Sequence, residues 1–271
     1  MEIDIVIAVF NQVNYTRTCL DGLSSRRGSG ENVIVIDNGS TDETPEYLSS
    51  LRGIKVISNP RNLGCAAAWN QGVKAGNAPW VVILNNDVIL PSSWLEGLLD
   101  YAQRENVDIA SPALRQGECN YDLEEYSREF TRKMANVTRR GTAHGICILI
   151  RREVFEKIGY FDENFRIGTS EDTDFFKRAA LAGFTSGITG RSLIHHFGSI
   201  TQDYIKEHMS EKNYGPEHRA YFDKKWNLPR WKRILLRLKR KQRELFWRLS
   251  ERMLYGHSLN ETWRKGKIRY S

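Results

Sequence analysis

Four short apolar runs, each followed by a stretch of helical character, constrain the fold of this chain more than any other feature. Ile3-Asp4-Ile5-Val6-Ile7-Ala8-Val9-Phe10, Asn32-Val33-Ile34-Val35-Ile36-Asp37, Ile54-Lys55-Val56-Ile57 and Trp80-Val81-Val82-Ile83-Leu84 read as strands. The first is almost continuously apolar, the pattern of a strand buried on both faces of a parallel sheet. Helices are expected over residues 15–23, 43–51 and 62–75. The alternation, with connections long enough for right-handed crossovers, predicts an α/β fold: a doubly wound, Rossmann-like, mostly parallel central sheet flanked by helices.

The second half is less regular. Helices are expected at 94–104, 153–158 and 171–182, and strands at 146–151 and ending at 192–196. Phe175, Phe176, Ala179 and Ala180 would turn toward the sheet. Residues 116–140 are polar without a clear period and read as a mobile or acceptor-facing insertion. Composition turns basic and aromatic between 204 and 229, dividing the chain into a body, 1–205, and an extension, 206–271, expected to be basic and helical. The first part of the body, about 1–110, holds the strand–helix alternation, and about 111–205 holds the rest.

Charge follows the same division. The 271 residues carry a net +7, but residues 206–271 hold 19 Lys/Arg against 7 Asp/Glu, a local +12 that leaves −5 for residues 1–205. An acidic body with a basic extension suggests chemistry in the first and attachment to something anionic in the second. Cys19, Cys65, Cys119 and Cys147 stand far apart, with no paired spacing of a metal knot or disulfide framework, and read as reduced thiols. Met1-Glu2-Ile3-Asp4 enters a strand without the basic-then-apolar order of a signal peptide, and no run approaches the roughly 20 apolar residues of a membrane span. The expectation is a cytoplasmic protein, soluble or peripheral on the inner face of the cell membrane.

Ligands of open α/β sheets bind beyond the carboxyl ends of the strands, near the point where strand order reverses. Three strand ends here become polar at once: Phe10-Asn11, Asp37-Asn38-Gly39-Ser40 and Asn85-Asn86-Asp87. Asp37 is placed either to accept hydrogen bonds from a ribose or base edge, or simply to hold its own turn. Asp87, with Asn85 and Asn86, offers hard oxygen ligands for Mg²⁺ or Mn²⁺, with an Asx turn as the bland alternative. Glu171-Asp172-Thr173-Asp174 opens a helix, where acids complement the helix dipole. Either Glu171 or Asp172 could also act as general base toward a hydroxyl. His195-His196 offers imidazole to a metal or, as histidine pairs more often do, serves a structural role.

In order and spacing, these segments resemble the family 2 glycosyltransferases of GT-A fold, in particular their bacterial rhamnosyltransferase-like branch. The resemblance runs from Ile3 to Thr201. It rests on Ile7-Ala8-Val9-Phe10-Asn11, Val35-Ile36-Asp37-Asn38-Gly39-Ser40-Thr41-Asp42, Asn59-Pro60-Arg61-Asn62-Leu63-Gly64-Cys65-Ala66 and Leu84-Asn85-Asn86-Asp87. It continues through Ile150-Arg151-Arg152-Glu153-Val154-Phe155, Gly159-Tyr160-Phe161-Asp162-Glu163, Glu171-Asp172-Thr173-Asp174 and His196-Phe197-Gly198-Ser199.

The resemblance implies a GT-A catalytic domain over 1–205, with a nucleotide-sugar half followed by an acceptor half. It implies an inverting transfer of a sugar from a dTDP- or UDP-sugar to a hydroxyl of a glycan or lipid-linked acceptor in cell-surface polysaccharide synthesis. Asn85-Asn86-Asp87 takes the place of the Asp-X-Asp metal motif, with Asn85 in place of the first acid. Asp87, Asn85 and His196 become the implied ligands of Mn²⁺ or Mg²⁺. Phe10, Asn11, Asp37, Asn38, Asn62, Gly64 and Asn86 match the nucleotide-binding positions. Asp172 matches the catalytic base and Glu171 its neighbour at the acceptor or donor sugar.

From Pro229 the chain has the pattern of a basic amphipathic helix. Trp231, Leu235, Leu238, Leu245, Leu249 and Met253 form one stripe, and Lys232, Arg233, Arg237, Lys239, Arg240, Lys241 and Arg243 crowd the rest. Residues 229–254 therefore suit either an anionic membrane surface or packing on the body or a partner subunit. Oligomerisation stays open. A nucleic-acid-binding role for the extension is a rival reading, though no nucleic acid is expected beside an acidic body with these motifs. A non-catalytic scaffold of the same fold is a second rival.

Overall fold

A computed structural model describes residues 2–24, 28, 30–166, 169–198, 200, 204–205, 215–264 and 267–269. Met1, Ser199 of the last motif, and Thr201, where the resemblance ends, lie outside them.

Strand β1 (Ile3–Val9) runs through the middle of the sheet, parallel to β2 (Glu31–Asp37) on one side and β4 (Trp80–Asn85) on the other. β3 (Lys55–Ser58) extends β2 in parallel. The resulting order 3-2-1-4 places the reversal of strand order between β1 and β4. Alternate residues of β1 feed two cores. Ile3, Ile5, Ile7 and Val9 pack with Cys19, Leu20 and Leu23 of α1 (Val13–Ser24), Tyr47 and Leu48 of α2 (Thr44–Ser50), and Leu98 of α4 (Trp94–Arg104). On the other face, Val6 packs with Trp69 and Val73 of α3 (Cys65–Ala75), Phe155 of α6 (Arg152–Ile158) and Phe175 of α7 (Glu171–Leu181). The two-period strand and the three-to-four-period helices thus meet on both faces, as expected of a sheet covered on each side.

Beyond β4 the sheet becomes mixed. β8 (Cys147–Arg151) pairs antiparallel with β4 and with β6 (Ile109–Gly117), and β9 (Ser186–His196) runs parallel to β6. The short β5 (Val88–Ile89) pairs antiparallel with β9, putting Val88 opposite His196.

Two expectations are corrected. Residues 116–140 are not a mobile insertion. They complete β6, form α5 (Leu123–Met134) and end in β7 (Thr138–Arg140), which pairs with β9. Only Leu123, Ser127, Phe130 and Met134 of α5 are buried, a stripe too narrow to raise a period above the charged residues between. Its start is marked by Asp122, whose carboxylate accepts the Glu125 N–H at 2.9 Å. The extension, for its part, is not all helix. After α8 (Gly215–Lys225) and α9 (Arg230–Tyr255), β10 (Asn260–Arg264) joins the central sheet parallel to β6 and carries β11 (Lys267–Arg269) at the edge. No disulfide joins Cys19, Cys65, Cys119 or Cys147. Among the described residues, no helix is long and apolar enough to cross a membrane.

Candidate functional site

A cleft of about 400 Å³ opens at the carboxyl ends of β1 and β4, where the strand order reverses. Phe10, Asn38, Asn62, Gly64, Asn85, Asn86, Asp87, Glu171, Asp172 and His196, ten of the twelve positions singled out by sequence, line it.

The remaining two, Asn11 and Asp37, are spent on the loop beneath. Asn11 takes up a left-handed backbone (φ 52°). Its Oδ1 accepts the N–H groups of Thr41 at 2.7 Å and Asp42 at 3.3 Å, and its own N–H donates to Ser40 Oγ at 2.8 Å. Asp37 Oδ1 accepts the Ser40 N–H at 3.0 Å. The turn-holding role weighed for Asp37 is what the geometry displays.

Asn38 and Asn62 form a bracket. Asn38 Nδ2 donates to Asn62 Oδ1 (2.8 Å), Asn38 Oδ1 accepts from Asn59 Nδ2 (3.0 Å) and the Leu63 N–H (3.1 Å), and Asn62 Oδ1 also accepts the Gly64 N–H (2.9 Å). Gly64 is held at φ 91° against Arg166, where a Cβ would stand 1.8 Å from the Arg166 carbonyl oxygen, so no side chain fits. Asn86 turns its amide to Thr16 Oγ1 at 2.9 Å and ties β4 to α1.

The chemistry gathers around four buried polar atoms. Among the described residues, Asp87 Oδ1, Glu171 Oε2, His144 Nδ1 and His196 Nδ1 have no hydrogen-bond partner, and all four belong to residues lining the cleft. Such atoms are rare inside folded proteins and mark places kept for something else. The β5–β9 pairing brings His196 Nε2 to 3.2 Å from Asp87 Oδ1, close but out of line for a hydrogen bond. His195, next in the chain, is committed elsewhere. Its ring lies 2.8 Å from the Tyr121 hydroxyl and 2.9 Å from the Gly117 carbonyl, and burial lowers its pKa to about 4.

The Asp87–His196 pair tests whether a divalent ion fits. Among the described residues, no group of three His, Cys, Asp or Glu side chains is arranged to hold a metal ion. The protein therefore offers a carboxylate and an imidazole, with Asn85 beside them on the cleft wall. That short set suits an ion completed by diphosphate oxygens and water, the usual way Mg²⁺ is held with phosphate substrates. The unpartnered Asp87 oxygen is the observation that makes the fit.

Glu171 and Asp172 open α7 after Ser170, which is held at φ 80° without a side-chain cap. Glu171 is buried, and burial with the adjacent Asp172 pushes its pKa up to about 8. The half-buried Asp172 is also raised by burial, although the Thr173 N–H (2.6 Å) and hydroxyl (3.2 Å) donate to its Oδ1. Gly145 presses on Asp172 so closely that a Cβ there would meet Oδ2 at 2.8 Å.

His144 and Gly145 escaped the sequence reading. Because β8 runs opposite to β4, the residues that lead into β8 lie at the ligand edge, and direction is not written in an apolar run. His144 Nε2 lies 2.8 Å from the Pro112 carbonyl, and burial lowers its pKa to about 4, so a neutral ring offers Nδ1 as acceptor. Gln116, Trp69 and Ile205 also line the wall.

The model of the family described as glycosyl transferase family 2 matches residues 4–159. The chain belongs to glycosyl transferase family 2. An uncharacterised glycosyltransferase of Rickettsia prowazekii is 26% identical over 210 residues, covering 71% of this chain and 64% of its own length. The N-acetylglucosaminyl-diphospho-decaprenol L-rhamnosyltransferase of Mycobacterium tuberculosis is 24% identical over 217 residues, 66% of this chain and 70% of that enzyme. Among solved structures, S. aureus TarS 1–349 superposes with a TM-score of 0.58 at 17% identity, covering 72% of this chain and 60% of that fragment. GalNAc-T7 with UDP, GalNAc and Mn²⁺ gives a TM-score of 0.58 at 16% identity over 72% of this chain and 44% of its own. These structures establish the GT-A fold of this family 2 chain, which spans less than two thirds of the rickettsial relative and of TarS.

Proposed function

We propose that this family 2 member is an inverting glycosyltransferase, moving a sugar from a nucleoside-diphosphate sugar to a hydroxyl of a glycan or lipid-linked acceptor in cell-surface polysaccharide synthesis. The observation that carries the reading is the convergence, in one cleft at the strand-order reversal, of a buried carboxylate oxygen without a hydrogen-bond partner, on Asp87, and a raised carboxylate pair, Glu171 and Asp172. TarS has been solved with UDP and with UDP-GlcNAc, and the mycobacterial relative is named as a rhamnosyltransferase, which supports a UDP- or dTDP-sugar here.

Phe10, Asn38, Asn62 and Gly64 would receive the nucleotide, with Asn11 and Asp37 holding the loop that shapes its seat. Asp87, His196 and Asn85 would hold Mn²⁺ or Mg²⁺, which when bound supplies positive charge against the leaving diphosphate. Asp172 takes the proton of the acceptor hydroxyl as its oxygen forms the new bond to the anomeric carbon. The bond from that carbon to the diphosphate breaks, and its electron pair leaves on the diphosphate oxygen. With one base and no protein nucleophile, the displacement inverts the anomeric centre. Two neighbouring carboxyls then have distinct roles. The more buried Glu171 carries a proton near neutral pH and can donate a hydrogen bond to a sugar hydroxyl. Asp172, raised yet steadied by Thr173, is a stronger base than an ordinary aspartate.

The test is release of nucleoside diphosphate from a panel of UDP-, dTDP- and GDP-sugars with extracts of lipid-linked glycans as acceptors. Acceptor-dependent release from one donor, with a product of inverted anomeric configuration, is expected. Release that is unchanged in Asp172→Asn, or a retained configuration, would refute the mechanism.

A further inference from the structure

Helix α9 is exposed on every side from Ile234 to Phe246, and around Glu251, where it packs on the body, it does so by its polar side and leaves its apolar side open. Its one buried residue, Glu251, receives Arg139 Nε and Nη2 (both 2.7 Å), Ser258 Oγ (2.9 Å) and the Leu259 N–H (3.0 Å). At about 100° per residue, Trp231, Leu238, Leu245, Phe246, Leu249 and Met253 fall in an arc about 100° wide on the side opposite Glu251. Trp231 is 67% exposed, Phe246 68% and Met253 81%. Lys232, Lys239 and Arg243 border this stripe on one side, and Arg237, Lys241 and Arg248 on the other.

A helix facing solvent with its apolar arc has its amphipathic sense inverted relative to a helix that closes a core. Something apolar must cover it, and the borders say of what charge. The helix carries ten Lys/Arg and two Asp/Glu, and one of those acids is already paired with Arg139. A second copy would set basic borders against basic borders. A nucleic acid would satisfy the charges but leave the apolar arc in water. We propose that α9 lies flat on an anionic lipid surface along its length of about 39 Å, its apolar arc at the boundary of headgroups and acyl chains and its Lys/Arg borders among the headgroups.

The surface is mechanically tied to the cleft. On α8, Trp226 Nε1 donates to Asp174 Oδ1 of α7 at 2.9 Å, and Lys177 Nζ of α7 lies 4.0 Å from the Trp226 ring. Because Arg233 of α9 also pairs with Asp223 of α8, docking through α9 bears, by way of α8, on the helix whose first turn carries Glu171 and Asp172.

Flotation of the full chain with vesicles tests this without any donor or acceptor, so its outcome is separate from that of the transfer reaction. The protein should float with equimolar phosphatidylcholine and phosphatidylglycerol, stay behind with phosphatidylcholine alone, and release as salt rises. Leu238→Glu with Leu249→Glu should weaken binding about a hundredfold or more, since two buried leucines are lost. Lys239→Gln and Lys241→Gln should each weaken it about fivefold. Both sets change exposed positions and should leave the thermal melt in place. No flotation of the unaltered protein on anionic vesicles would overturn the proposal, as would equal flotation of the double leucine variant. So would a dimer in sedimentation equilibrium that the same variant dissolves.

Discussion

The two ends of the central sheet treat buried acids in opposite ways. At the amino end, Asp4 of β1 has no exposed surface and every need met. Arg152 Nη2 (2.6 Å), the Ala78 N–H (2.9 Å) and Asn32 Nδ2 (3.1 Å) all donate to its carboxylate. At the carboxyl end, Asp87 and Glu171 are almost as deeply buried, yet each keeps an oxygen without a hydrogen-bond partner among the described residues. Burying a charge is expensive unless it is paired and hydrogen-bonded. The amino end offsets that cost inside the chain, whereas the carboxyl end leaves it standing for a ligand to settle. The contrast separates an acid that holds the fold from acids left open to whatever enters the cleft.

Breaking the satisfied end should have the largest effect on stability. Asp4→Ala strands a partly buried Arg152 and should cost about 3–5 kcal/mol in denaturant unfolding. Nucleotide binding by the fraction that stays folded should be intact. If Asp4→Ala instead unfolds normally but loses nucleotide, the two ends are not separate in the way described.

At the open end the order reverses. Asp172→Asn should lower turnover by roughly 10²-fold or more while leaving stability and donor affinity close to those of the parent. A large loss of stability in that variant would make Asp172 a structural acid like Asp4.

A smaller effect sharpens the comparison through pH. The Glu171 carboxyl is raised from its ordinary 4.5 to about 8, so the folded protein binds this proton more tightly than the unfolded chain. Its contribution is fully present below about pH 4.5 and is lost as pH rises through about 8. In chelator and without nucleotide, the melting temperature should fall over that window, and Glu171→Gln should flatten the fall. An unchanged slope in the variant would show that Glu171 is not the raised group.

The parallel half of the fold was legible because each strand is a nearly unbroken apolar run and each helix has its own start and stop. Trp94–Arg104 forms as expected, and the strands match to within a residue or two. The direction of β8, expected as a strand at 146–151, and the narrow stripe of α5 were not legible in that way. Strand direction leaves no mark on composition, and four buried positions in a twelve-residue helix are hidden by the charges between them. The same limit explains the site. Asp87, Glu171, Asp172 and His196 announce themselves by residue type at the ends of elements. His144 reaches the cleft only because β8 runs backwards. Asn11 and Asp37 belong to the loop's own hydrogen bonds, which no spacing of polar residues distinguishes from ligand contacts.

The most direct test of the open-end account is calorimetric titration of the protein with UDP, dTDP and GDP, each with Mn²⁺, with Mg²⁺ and with chelator, beside Asp87→Ala. One nucleoside diphosphate should bind with metal, lose most of its affinity in chelator, and bind the variant weakly whether or not metal is present. Equal affinity with and without metal in both proteins, or no binding of any nucleotide to a well-folded sample, would contradict it.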